Sequence, residues 1–111
     1  MKRVLTLLAP VALALAVALP ASGATPTYKG TVGPGFTISM AKKPTKAGKI
    51  ELVVSDKASI HNFHLTGPGV NVKTGGGTTG TKTFTITLKK GTYRFVCDPH
   101  SSSMKGSFKI S

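Results

Sequence analysis

Cys97, His100 and Met104 follow one another at the spacing Cys-x2-His-x3-Met, and Cys97 is the only cysteine in the 111-residue chain. A thiolate, an imidazole and a thioether on one short stretch suit a single soft or borderline metal ion. This set lacks one strong ligand, and the source for it is His61-Asn62-Phe63-His64, far upstream. A metal would also account for the thiol. One cysteine cannot close an internal disulfide, and a free thiol in an oxidising compartment is a liability. The blander readings make Cys97 a buried core thiol or half of an intermolecular disulfide, and Met104 core filler. One cysteine with two histidines also suits zinc; the thioether speaks for copper.

Strands must bring the two stretches together. Helical periodicity is absent, and 13 glycines, 7 prolines and frequent Thr and Val residues indicate strands and turns. Ala24 to Thr31 supplies an edge strand and Gly33-Pro34-Gly35 a turn. Phe36-Thr37-Ile38-Ser39-Met40 alternates, which puts Phe36, Ile38 and Met40 on one inner face. Lys49 to Asp56 is a strand with Ile50, Leu52 and Val54 inward. In the strand Ser59 to Leu65, parity decides between the histidines. His61, Phe63 and Leu65 share the core face, and Asn62 and His64 share the other. A bulge would shift the register and put His64 in the place of His61.

Downstream, Thr66 to Gly69 closes that strand, and Gly75 to Gly80 is a flexible polar loop. Thr81 to Leu88 alternates with Phe84, Ile86 and Leu88 inward. Tyr93, Phe95 and Cys97 share a face, so Cys97 emerges inward at a strand end. A last strand from Gly106 turns Phe108 and Ile110 to the core. The expected fold is an all-β Greek-key sandwich of roughly seven or eight strands. Cys97 and Met104 lie at one end of it, and the site requires His61 at that same end.

The chain begins as an exported protein does. Met1-Lys2-Arg3 is a short positive segment, and Val4 to Leu19 is an apolar run interrupted only by Thr6 and Pro10. Pro20-Ala21-Ser22-Gly23-Ala24 then supplies small residues for cleavage after Gly23 or Ala24. Residues 1–24 are therefore expected to be a signal peptide and 25–111 a single metal-binding domain. A retained anchor is the alternative; the run is short for a membrane span. No cysteine at the cleavage site allows lipid attachment, and no later stretch is apolar enough to span a bilayer. A mature domain this small buries only roughly 60–65% of its unfolded surface, so it gains from a metal.

Of the 15 Lys and Arg, all but Lys2 and Arg3 lie in the mature chain, against 3 Asp and Glu, a net charge of +10 there. The lysines are scattered and form no single run. Export, few aromatics and no basic helix argue against nucleic acid. The charge favours an acidic partner or the cell surface, or is simply a solvated Lys-rich β surface.

The whole pattern is His61-Asn62, then Gly91-Thr92-Tyr93-x-Phe95-x-Cys97-x2-His100-x3-Met104-x-Gly106. It resembles the cupredoxin family of small blue (type 1) copper proteins, in the form seen in plastocyanin, pseudoazurin and amicyanin, over about Phe36 to Ile110. The resemblance implies one copper ion with His61, Cys97 and His100 in a trigonal plane and Met104 as a weak axial ligand. It implies that Asn62 hydrogen-bonds across to the cysteine loop and ties the two ligand stretches together. Two departures stand out. Three residues separate His100 from Met104 where such members commonly have two or four, which bears on the axial bond and the redox potential. Ser101, Ser102 and Ser103 occupy a region that is often apolar in the family, which shifts docking toward the lysines.

The expected function is that of an exported one-electron carrier, in the periplasm or at the extracytoplasmic surface, with His100 as the electron entry and exit point. The expectation includes a protein redox partner, acidic in character, peripheral membrane contact at most, and a monomeric state. The alternative is a copper-binding or delivery protein of copper homeostasis. Catalysis is not expected, because Glu51, Asp56 and Asp98 are the only acids and there is no nucleophile–base pair.

Overall fold

A computed structural model describes residues 24–111; apart from Ala24, the expected signal peptide lies outside the described residues. The alternating stretches become strands because each has one apolar face to bury. Among the described residues there are eight: β1 (Thr27–Val32), β2 (Ile38–Met40), β3 (Gly48–Asp56), β4 (His64–Gly67), β5 (Val70–Lys73), β6 (Gly80–Leu88), β7 (Gly91–Val96) and β8 (Lys105–Ile110). They form two four-stranded sheets, β2-β1-β3-β6 and β5-β4-β7-β8. Pairing is antiparallel except between β1 and β3. This is the all-β sandwich the sequence leads one to expect. Among the described residues no helix is long and apolar enough to cross a membrane.

The core lies between the sheets. Ile50, Leu52, Val54, Ile86 and Leu88 come from one, and Leu65, Tyr93, Phe95, Phe108 and Ile110 from the other. Phe63 stacks on Phe95 at a centroid distance of 5.5 Å, and Tyr93 on Phe108 at 5.2 Å. Gly106 sits opposite Phe95 across β7 and β8. A Cβ there would overlap the Phe95 ring, so only glycine admits that ring. The Tyr93 hydroxyl closes one end. It accepts the Lys89 amide at 2.8 Å and lies 3.1 Å from the carbonyls of Pro68 and Lys89.

Four sequence readings change here, the first being that the edge strand expected over Ala24 to Thr31 is β1, which lies between β2 and β3 inside its sheet. Phe36 is not on the inner face with Ile38 and Met40; it is 63% exposed. Gly33 N–H donates to Thr37 O at 2.9 Å, so the chain reverses through Phe36 and the parity of β2 does not reach it. The strand expected from Ser59 begins only at His64. Ser59 and Ile60 form a turn, and His61, Asn62 and Phe63 are buried in succession, which no alternating strand allows. Val70 to Lys73, between two glycine-rich segments, pairs with β4 as an edge strand that its short apolar content does not announce.

Candidate metal centre

The irregular segment His61–Phe63 is held by partners outside any strand ladder. His61 N–H donates to Ala58 O at 3.2 Å. Asn62 N–H points at Cys97 Sγ, 3.5 Å away. Phe63 N–H donates to Thr74 Oγ1 at 2.9 Å, and Thr74 N–H returns to Phe63 O at 3.0 Å. Thr74 Oγ1 in turn donates to the buried Asp56 carboxylate at 3.3 Å. Every backbone donor of the segment is thus satisfied while three side chains in a row turn inward, as burial of backbone requires.

The C-terminal ligand loop is a closed turn. Asp98–His100 is one turn of 3₁₀ helix with Pro99 in its first positions. His100 N–H donates to Cys97 O at 3.0 Å, Met104 N–H to His100 O at 2.8 Å, and Cys97 N–H to Met104 O at 3.0 Å. The last bond brings the two ends of the loop together and leads into β8. Met104 is buried with Cys97.

His61, Cys97 and His100 meet at one end of the sandwich, with ligand atoms all within 4.8 Å of one another. The Nδ1 atoms of His61 and His100 are 3.2 Å apart, and they lie 3.7 and 3.6 Å from Cys97 Sγ. A point about 2.0 Å from all three atoms follows from that triangle, close to the roughly 2.0–2.1 Å of a metal–imidazole bond and the roughly 2.3 Å of a metal–thiolate bond. The donor set and its spacing therefore fit one metal ion. Cys97 and His61 are fully buried, while His100 is half-buried and forms the surface edge.

Packing sets the His61 ring, because its buried Nε2 has no hydrogen-bond partner among the described residues. A Cβ on Gly33 would lie 3.2 Å from His61 Cδ2, and Gly33 has a positive φ of 75°, so glycine serves both the turn and the ring's space. The Phe36 ring stands edge-on to both imidazoles, with centroids 5.1 Å from His61 and 5.0 Å from His100. Sequence parity missed this contact. An apolar residue at the histidine edge does exist, but it comes from the β1–β2 turn and not from the serine-bearing loop.

Asn62 spans the two ligand stretches. Its Oδ1 accepts the Asp98 amide at 2.7 Å, and its Nδ2 donates to Asp98 Oδ2 at 2.8 Å. His64 faces outward but is not idle. Its Nδ1 lies 2.9 Å from Asp98 Oδ1, and its Nε2 lies 2.7 Å from Asn71 Oδ1. It does not join the three clustered ligand atoms. Burial raises the Asp98 carboxyl, but hydrogen bonds from His64 and Asn62 and the charges of His64 and Lys73 outweigh it and hold the group below its ordinary 3.8. Nothing in the sequence around Asp98 marks it as the hub of this network.

A two-sheet sandwich that gathers one thiolate, two imidazoles and a buried thioether-bearing loop at one end defines a small single-site metalloprotein. A family model described as copper binding proteins, plastocyanin/azurin family, matches residues 24–111. The chain belongs to that family, its cofactor is copper, and His61, Cys97, His100 and Met104 form an arrangement like a type 1 copper site. Among solved structures it is similar to reduced rusticyanin, with 24% identity, coverage of 81% of each chain and a TM-score of 0.61. It is also similar to dithionite-reduced auracyanin from the photosynthetic bacterium Roseiflexus castenholzii, with 20% identity, coverage of 80% of this chain and 99% of that one, and a TM-score of 0.55. At these identities the likeness is one of fold. No match was found among curated protein sequences.

Proposed function

We propose that this protein is an exported one-electron carrier. His61, Cys97, His100 and Met104 would hold its copper ion, with Met104 as the weak fourth donor. The observation that carries the proposal is the Nδ1–Sγ–Nδ1 triangle, closed to 3.2–3.7 Å by a rigid sandwich, with one histidine buried and the other at the surface. Bound copper supplies the one-electron Cu(I)/Cu(II) couple. The chain's part is to hold the donors still, so that little rearranges between oxidation states. His61 and Cys97 sit where water does not reach, and the half-buried His100, beside Phe36, is the entry and exit edge. Copper also keeps the Cys97 thiolate deprotonated and occupied.

Export to the periplasm or the extracytoplasmic surface, after removal of residues 1–24, belongs to the same reading, as do a monomeric state and an acidic protein partner. The family match beginning at residue 24 supports it, and so does a thiol that metal would protect in an oxidising compartment. The carboxylates support a non-enzymatic role: Asp56 is buried against Thr74, Asp98 is engaged by Asn62 and His64, and Glu51 stands apart on the other sheet.

Addition of Cu(II) tests the reading. An intense visible thiolate-to-copper band is expected, lost on reduction and regained on reoxidation over many cycles with copper retained. No band means that the type 1 assignment fails. Loss of Cu(I) to a competing chelator on the time scale of one cycle would favour the delivery role instead.

A further inference from the structure

The outer faces of the two sheets differ in charge: one carries Lys73, Arg94, Lys105 and Lys109, the other Lys29 and Lys49 with Glu51. Cross-strand partners project to the same side of a sheet, so register defines each face. On the outer face of the β5-β4-β7-β8 sheet one row reads Lys73, His64, Val96, Lys105, and the next Asn71, Thr66, Arg94, Ser107. Thr92 and Lys109 follow on β7 and β8. Because Arg94 pairs with Ser107, both Lys105 and Lys109 are its diagonal neighbours, about 7–8 Å away. All three cations are exposed. The acid nearest this face, Asp98, is bound to His64; Asp56 is buried, and Glu51 lies on the other sheet opposite Thr27 and Thr85. Among the described residues no lysine or arginine is in an ion pair. The outer face of the first sheet sets Lys29 and Lys49 apart among Thr27, Thr31, Thr81, Thr83, Thr85 and Thr87, with Glu51 between them.

Unpaired like charges held this close repel one another, a cost that an anionic surface laid over them would offset. The face also has relief. A groove of about 440 Å³ is lined by Arg94, Val96, Ser101, Lys105, Gly106 and Ser107. Arginine takes carboxylates with two parallel hydrogen bonds, and serine hydroxyls between the cations supply further donors. Ser101 comes from the loop that carries His100 and Met104, so the groove borders the metal end.

We propose that this sheet face is the docking surface for an acidic protein, with partner carboxylates seated in the groove between Arg94 and Lys105. An anionic lipid surface fits less well, because membrane-surface binding adds an apolar insertion to charge. Among the described residues the exposed large hydrophobics, Phe36 and Ile60, are on loops outside this face. The proposal names where the acidic partner of the carrier reading binds. It rests on that reading for the partner's role, while binding itself is independent of electron transfer.

The test compares two variants of the copper-loaded protein with equal loss of charge. One is Arg94→Gln/Lys105→Gln/Lys109→Gln, and the control is Lys29→Gln/Lys46→Gln/Lys49→Gln. Binding to poly-L-glutamate at low salt is expected to weaken about tenfold or more in the first variant and less than about threefold in the control, since exposed charges add modest amounts each and act locally. Equal weakening in both, or no binding by the parent protein, overturns the proposal. Weakening on phosphatidylglycerol vesicles but not on poly-L-glutamate also overturns it, in favour of lipid. Circular dichroism checks the fold, and the visible band reports the copper site separately. A missing band in the parent defeats the carrier reading and leaves the binding result standing.

Discussion

Asn62 and Asp98 exchange two hydrogen bonds across 36 residues of sequence, at 2.7 and 2.8 Å. One uses the backbone amide that directly follows Cys97, so the bond fixes where the thiolate points. Replacing Asn62 by Ala leaves that amide without its acceptor and frees the two ligand stretches from each other. A stability loss of about 1–3 kcal/mol is expected, read as a lower thermal midpoint. An unchanged midpoint would show that the pair does not carry the junction.

Cys97→Ser is expected to abolish the thiolate-to-copper band, whereas His64→Leu keeps it. The reason is geometric: Cys97 Sγ completes the ligand triangle, while His64 reaches only Asp98 and Asn71. Colour surviving in Cys97→Ser, or vanishing in a folded His64→Leu, would overturn the ligand assignment.

Asp98 links the site to acid. Its carboxyl is held below 3.8, so its contribution to stability is fully present above that ordinary value. The contribution is lost as pH falls through the depressed folded value. The metal-free protein should therefore lose stability on acidification from about pH 4 downward, more steeply than Asp98→Asn does. The group is partly exposed, so solvent screens the effect and keeps it modest. Identical acid profiles of midpoint against pH would refute the link.

At the end where Tyr93 meets the β6–β7 turn, Tyr93→Phe removes the acceptor of the Lys89 amide and the donor near Pro68 O. The expected cost is about 1–3 kcal/mol with the copper spectrum unchanged. A spectral shift would mean that the two ends of the sandwich are not independent.

Phe36 is largely exposed yet covers both imidazoles edge-on. Phe36→Ala should change stability by less than about 1 kcal/mol, as surface substitutions do. It should also speed copper release to a chelator by opening the histidine edge. Equal release rates would remove Phe36 from the site's cover.

Much of this protein is legible in local pattern. Alternation over Ile50–Val54, Phe84–Leu88 and Tyr93–Cys97 marks strands with one buried face, because a period of two admits few other structures. Residue chemistry alone makes Cys97, His100 and Met104 a soft-metal loop, and counting charges alone makes the chain basic. Parity turns His61 inward, which agrees with its burial, although the backbone there is not a strand.

What tertiary structure decided lies where the backbone leaves the ladders. Asn62 is buried beside His61 because Cys97 and Asp98, distant in sequence, accept and return its hydrogen bonds. Phe36 reaches the histidines because the Gly33–Thr37 turn carries it out of β2. Scattered lysines join Arg94 on one face only through the register of β7 and β8. Period and residue type are local properties that the chain itself expresses. The partners of a loop's polar groups, and the face on which a charge emerges, exist only once distant strands are paired.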